Sequence, residues 1–211
     1  MAQLTFDAAT HTYRYGGIVV PHVTKIISSL VDYSWIGLGA LEIARQEGVA
    51  IHKMVELHFN GDLQSVPEWM AGHWKALQRF HDDTGFEIWA AEQKLFHPTL
   101  HYAGTPDLIG LMPRLKNVKG PACIDVKRSL FGGPAIGLQT AGYTRAWNEN
   151  DGKSRDLRVP DGNRFALQLR DNGTYRLVDY QDGEDFTAFL ACLQQVRWRQ
   201  RHNMEKSNGS T

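Results

Sequence analysis

Two aspartates and a lysine near the middle of the chain have the types and spacing of a hydrolytic metal site. They stand in Gly104-Thr105-Pro106-Asp107-Leu108-Ile109 and in Cys123-Ile124-Asp125-Val126-Lys127. Both acids lie in short apolar runs that read as buried strands. A carboxylate there is costly to desolvate unless a cation compensates it. Carboxylates converging from neighbouring strands make a site for a hard divalent cation. Lys127 follows Asp125 by two positions, and i and i+2 of a strand share a face. Ammonium and carboxylate therefore share one pocket. Metal, lysine and acid together are equipment for hydrolysing a phosphodiester. The plainer alternative is a structural ion pair, or charges at strand ends.

Other side chains fall in place around these three. Glu92 lies in the preceding strand segment and is placed to reach the same sheet end as Asp107. His52 sits in Gly48-Val49-Ala50-Ile51-His52-Lys53-Met54-Val55-Glu56. On a helix Gly48, His52 and Glu56 stack on one face. The glycine would admit a neighbouring backbone, and the imidazole could reach a metal; the alternative is a half-buried histidine bonded to Glu56. Gln139 and Tyr143 share a face of the helix after the Asp-x-Lys strand. Gln139 could hold a water or a phosphate, and Tyr143 could bond a phosphate oxygen or stack on a base; the alternative is a helix packing an aromatic residue with a polar neighbour. Lys153, Arg155, Arg158 and Arg164 lie on or beside a polar loop, and Arg197, Arg199 and Arg201 line the last helix. Either group could grip a phosphate backbone, although a solvated surface explains the last helix as well.

The elements that must carry these residues follow from pattern and punctuation. Residues 4–20 read as a β-hairpin turned at Gly16-Gly17. Helices are expected from Thr24 to Val31 and from Leu38 to Phe59, the second ending near Gly61. Ser65-Val66-Pro67-Glu68 resembles a capping box. It would open a helix with Trp69, His73, Leu77 and Phe80 on one face, closed by Gly85. Glu87–Phe96, Tyr102–Met112 and Ala122–Arg128 read as strands, and Ala135–Trp147 as a helix. Residues 148–163 read as a loop, Arg164–Arg170 and Thr174–Tyr180 as a hairpin across Asp171-Asn172-Gly173, and Glu184–Arg201 as an amphipathic helix. This order predicts an α/β (α+β) domain with a central mixed sheet flanked by helices. It would be a single domain over 1–202: hairpin and helices in 1–85, a core in 86–147, a C-terminal hairpin and helix in 163–202. A frayed tail would occupy 203–211.

The chain has 211 residues, enough for a sizeable core. Its formal net charge is zero, so any nucleic-acid binding must come from a local patch rather than bulk charge. Its two cysteines, Cys123 and Cys192, read as small buried residues and cannot hold a four-thiolate iron–sulfur cluster. No signal peptide opens the sequence and no apolar run reaches membrane-spanning length, so the expected location is a reducing cytoplasm, without membrane partners.

Taken in order, the motifs resemble the PD-(D/E)xK nuclease superfamily, in its RecB-like and phage-exonuclease-like branch. The matching pieces are Gly48–His52, Glu92, Gly104–Asp107, Ile124–Lys127 and Gln139–Tyr143, with a lead-in from His11-Thr12-Tyr13 to Val20–Thr24. The resemblance implies a restriction-endonuclease-like fold and hydrolysis of DNA with magnesium or manganese. It makes Asp107, Asp125, the Val126 carbonyl and His52 metal ligands. Glu92 is a further catalytic candidate, Lys127 acts at the nucleophile, and Gln139 and Tyr143 are the branch's helix motif. Lacking four cysteines, the chain would be a cluster-free member, and a helicase, annealing or single-strand-binding partner would be a separate chain. An exonuclease of phage recombination, repair or DNA-end processing is the first expectation, in the host cytoplasm if phage-encoded. A structure-specific or nicking endonuclease is the second, and an inactive DNA-binding or assembly protein on the same fold the third. Oligomeric state is left open.

Overall fold

The computed structural model describes residues 2–154 and 157–204, without the side chains of Lys153 and Ser154. Its centre is a five-stranded mixed sheet in the order β10-β9-β8-β7-β4. The strands are β4 (Glu87–Ala91), β7 (Leu108–Leu111), β8 (Ala122–Lys127), β9 (Arg164–Leu169) and β10 (Tyr175–Asp179). Neighbours run antiparallel except β8 and β9, which are parallel. The parallel pair is joined through helix α4 (Ala135–Asn148), followed by the short helix α5 (Asp151–Ser154).

The alternation of β8 assigns the faces of the sheet. Ala122, Ile124 and Val126 pack with helices α2 (Leu38–Asn60) and α3 (Ala71–Thr84), joining Ile51, Met54, Leu77 and Phe80 in one core. Cys123 packs on the opposite side with α1 (Val23–Ile27), α4 and α6 (Asp185–Arg201), beside Trp147, Phe189 and Leu193. Asp125 and Lys127 have the parity of Cys123 and belong to the α4 side. Helix α4 is buried along almost its whole length, which its small residues make possible. A Cβ at Gly142 would stand 2.8 Å from the Phe189 ring, and one at Gly137 would stand 2.5 Å from the Asp185 carboxylate. Both glycines let α6 approach closely.

Several expected elements take a different form. Residues 4–20 are a three-stranded antiparallel meander of β1 (Leu4–Asp7), β2 (Thr12–Tyr15) and β3 (Ile18–Val20). The additional turn at residues 8–11 is held by Asp7, which accepts from the Ala9 N–H and the Thr10 hydroxyl. The capping box does not form: Glu68–Met70 is a 3-10 turn leading into α3, without a side-chain cap, and Trp69 is exposed. Gly61 and Gly85 do end α2 and α3 in the left-handed region, at φ of 79° and 63°. Among the described residues of the expected loop, 157–159 are tied back to the end of α4. The Trp147 indole N–H donates to the Leu157 carbonyl, and Asn148 exchanges two hydrogen bonds with the backbone of Val159. Cys192 is half-buried rather than buried.

The correction that matters for chemistry concerns two of the expected strands, which both break. The first splits into β4 and β5 (Leu95–His97), and the second into β6 (Tyr102–Gly104) and β7. β5 and β6 form a separate hairpin. Glu92 stands in the break of the first strand, at φ 50°, and Asp107 in the break of the second. The Glu92 N–H donates to the Asp107 carbonyl oxygen at 3.0 Å, which locks the breaks together. Among the described residues no helix is long and apolar enough to cross a membrane.

Candidate active site

Asp107 stands one step beyond the Leu108–Ile124 pair of β7 and β8, so the antiparallel register carries it towards Asp125. Its Oδ2 accepts from the Val126 N–H at 2.5 Å. Its Oδ1 lies 3.0 Å from His52 Nδ1, and the same nitrogen is 3.9 Å from Glu92 Oε1. One ligand atom from each of His52, Glu92 and Asp107 can be chosen so that all three lie within 4.8 Å of one another. Three distant pieces of chain thus converge: the middle of α2 and the two strand breaks. Beside them, Lys127 Nζ is 2.5 Å from Asp125 Oδ2. The Asp125 side chain is 2% exposed and that of Lys127 23%, so the acid is sealed in and the lysine side chain keeps only a partial opening to solvent.

The electrostatics follow from burial and crowding. Burial pushes Asp107 up, but the His52 charge and hydrogen bond, Lys127 and the Val126 N–H together hold it below the ordinary carboxylate range. Burial disfavours a charged His52, yet Asp107 beside it raises the imidazole above its usual value. Burial and then the Asp107 charge push Glu92 up to about 8. Burial lifts Asp125 to about 6 against the pull of Lys127. Burial also opposes a charged Lys127, but Asp125 and then Asp107 raise it above the ordinary amine value. At neutral pH the Asp125–Lys127 pair is therefore ionised, while Glu92 retains a proton because burial and the Asp107 charge outweigh the pull of the His52 ring.

These residues fit a divalent cation. An imidazole and two carboxylates are a suitable donor set for magnesium's harder chemistry and, through the histidine, for manganese. Protons on His52 and Glu92 supply the positive charge that the crowded acids lack, and a cation would replace them. Asp125 Oδ2, buried and without a well-aligned hydrogen bond, is a further oxygen next to the cluster. The geometry shifts emphasis within the expected set: Glu92 joins His52 and Asp107 directly, whereas Asp125 is engaged by Lys127. The contact Val126 makes here is through its N–H, to Asp107.

Gln139 and Tyr143 are together as their spacing requires, the Gln139 amide donating to the Tyr143 hydroxyl at 3.1 Å. Both are buried. The Tyr143 ring lies against Gly104, where an added Cβ would come within 2.8 Å of it. It is a wall behind the site, with no open face for a base, and burial followed by the charges of Asp125 and Asp107 raises its hydroxyl pKa far above normal. An added Cβ at Gly48 would meet nothing within 4 Å, so that glycine serves no close approach. Glu56 takes Lys53 at 2.8 Å, leaving His52 to Asp107. Arg164 is not a phosphate ligand. It is 2% exposed and donates to Asp185 at 2.9 Å and to the carbonyls of Gly137, Asp161 and Asp182. Arg158 is exposed, while Arg155 and the Lys153 side chain lie outside the described residues.

One contact had no local signal in the sequence. The Tyr13 hydroxyl lies 2.6 Å from Thr105 Oγ1, bracing the strand break that carries Asp107 from 92 positions away. Tyr13 reads as a strand former, and its partner is fixed only by the fold.

No protein-family model and no curated protein matches the sequence. Similar solved structures include two of one enzyme. The alkaline exonuclease LHK-Exo from Laribacter hongkongensis is 14% identical, with a TM-score of 0.32, over 84% of this chain and 90% of that one. The same enzyme in complex with dAMP is 14% identical, with a TM-score of 0.32, over 88% of this chain and 93% of that one. Likeness at this level carries no weight for function, which rests on the side chains themselves.

Proposed function

We propose that this chain is a metal-dependent DNA nuclease, acting as an exonuclease on phosphodiester bonds. The observation that carries the reading is the convergence of His52, Glu92 and Asp107 within ligand distance, next to the Asp125–Lys127 ion pair. The ordered motifs of the PD-(D/E)xK pattern supply the substrate class. His52, Glu92 and Asp107 would hold magnesium or manganese, with Asp125 and the Val126 carbonyl as further oxygens. When bound, the cation supplies a Lewis acid that acidifies water and polarises a phosphate. The chain's own residues do the rest. Asp125 keeps Lys127 charged, and an ammonium held there would offset charge developing on a phosphate oxygen. Asp107 orients the His52 ring. Glu92, with its raised pKa, can accept or release a proton near neutral pH. Arg158, with Lys153 and Arg155, belongs to the proposed DNA contact, while Gln139 and Tyr143 shape the wall behind the acids.

The test is digestion of linear and circular DNA, single- and double-stranded, with magnesium, manganese or chelator. Loss of linear DNA alone supports the exonuclease. Cutting of circles replaces it with an endonuclease. DNA binding without cleavage in either metal leaves an assembly protein and overturns the proposal.

A further inference from the structure

The surface beside Lys127 carries an aromatic cluster that the metal chemistry does not use. Tyr33 and Trp35 lie on the connection between α1 and α2, and Phe131 on the connection between β8 and α4. The Phe131 ring centroid is 5.5 Å from that of Tyr33 and 5.1 Å from that of Trp35, so two separate segments meet ring to ring. The three remain 43%, 67% and 44% exposed, in the order Tyr33, Trp35 and Phe131. Clustered aromatic rings left in water mark a binding surface more often than isolated ones do. Their location says for what. Phe131 follows Lys127 by four residues, and Tyr33 is among the groups that act electrostatically on Lys127.

We infer that Tyr33, Trp35 and Phe131 form a stacking platform for the bases of an unpaired DNA strand entering the site at Asp125 and Lys127. The proposal rests on the nuclease reading for the identity of its ligand. Charge points the same way. The chain has no net positive charge, and among the described residues three cations beside the site's own ligands in sequence are engaged: Arg128 with Glu47 at 2.6 Å, Lys53 with Glu56 and Lys127 with Asp125. A backbone-only grip would be weak. Base–aromatic stacking supplies affinity without charge and without sequence preference, because every base has a π-face. Those faces are available only when the strand is unpaired, so the substrate class is single-stranded ends or overhangs.

The test measures binding in chelator, where no cleavage can occur. Fluorescence anisotropy compares a labelled oligothymidylate, the same oligonucleotide with abasic residues, and a blunt duplex. Wild-type protein should bind the oligothymidylate at least about tenfold more tightly than either of the others, the discrimination one stacked base provides. Trp35→Ala and Phe131→Ala should fall to the abasic level, and Trp35→Phe should restore most of the difference. These side chains are exposed, and unchanged melting temperatures would confirm that each variant is folded. Equal affinity for thymidylate and abasic strands, or for strand and duplex, overturns the platform. So does a change in oligomeric state in Trp35→Ala without loss of base discrimination, which would make the cluster a self-interface. Cleavage is scored separately in metal. Base-dependent binding without cutting defeats the nuclease reading and leaves the platform; cutting indifferent to bases does the reverse.

Discussion

At the scale of single residues the site is a problem in charge compensation. Asp107 has the His52 ring, the Val126 N–H and the field of Lys127; Asp125 has Lys127; Glu92 has no cation of its own beyond the ring 3.9 Å away. Replacing an acid therefore removes a ligand and leaves its partner stranded. Asp107→Ala, Asp125→Ala and Lys127→Ala should each lower cleavage by about 10³-fold or more, the rate equivalent of several kcal/mol of charge stabilisation. Circular dichroism should show each variant folded, and near-normal cleavage by any folded one would refute its role. His52→Ala should act differently. The nitrogen donor is lost while the carboxylates remain, so the manganese concentration for half-maximal activity should rise about tenfold or more with DNA affinity unchanged. An unaltered manganese titration counts against His52 as a ligand.

Elements decide whether those residues meet. The Asp-x-Lys spacing was readable because a strand's two-residue period is local: Asp125 and Lys127 share a face wherever β8 is placed. His52 was readable as a helical position, but its partner was not, since the choice between Glu56 and Asp107 depends on how α2 crosses the sheet. Glu92 and Asp107 were misplaced for a related reason. Both read as residues of continuous strands, and only the Glu92 N–H to Asp107 carbonyl bond shows that the strands break there together. Gly104, just before the second break, is where this arrangement is most exposed to mutation. An added methyl would meet Tyr143 and Val23 at 2.8 Å each, so Gly104→Ala should destabilise the fold by about 1–3 kcal/mol. It should also depress activity in the surviving protein, measured by denaturant melts and cleavage side by side. Helix α1 offers a test by pH. His22 caps it, accepting from the Lys25 N–H at 3.4 Å, and burial, then His11 and Lys25, lower its pKa from 6.5 to about 4. The unfolded chain takes up a proton that the folded chain refuses, so this contribution is complete above about 6.5 and is lost as pH falls towards 4. His22→Asn keeps a capping side chain without the titration. Its melting temperature should fall less than the wild type's between those pH values; parallel curves would exclude His22 as the source.

For the molecule as a whole, the site is a local debit that a cation would turn into a gain. The sheet and its two cores hold the acids together whether or not anything compensates them. Glu92 shows the cost. Its folded pKa of about 8 exceeds the unfolded value of 4.5, so the folded chain binds a proton that the unfolded chain has released. Stability on this account is fully present below about 4.5 and declines as pH rises towards 8. Asp125, raised to about 6, contributes with the same sign at lower pH. In chelator, then, Glu92→Gln should melt higher than wild type at pH 8 and close to it at pH 5, because the amide never carries the uncompensated charge. Manganese should reverse the ranking. A ligand that binds only the folded state adds about 2.7 kcal/mol at a hundred times its dissociation constant, and the wild type, with its full donor set, should gain more than Glu92→Gln. The gain should be larger at pH 8 than at pH 6, where protons compete for the same oxygens and for His52. Scanning calorimetry of both proteins, with chelator and with manganese, reads all of these differences. A wild-type melting temperature that does not respond to manganese at pH 8 would mean that the cluster of His52, Glu92 and Asp107 holds no metal.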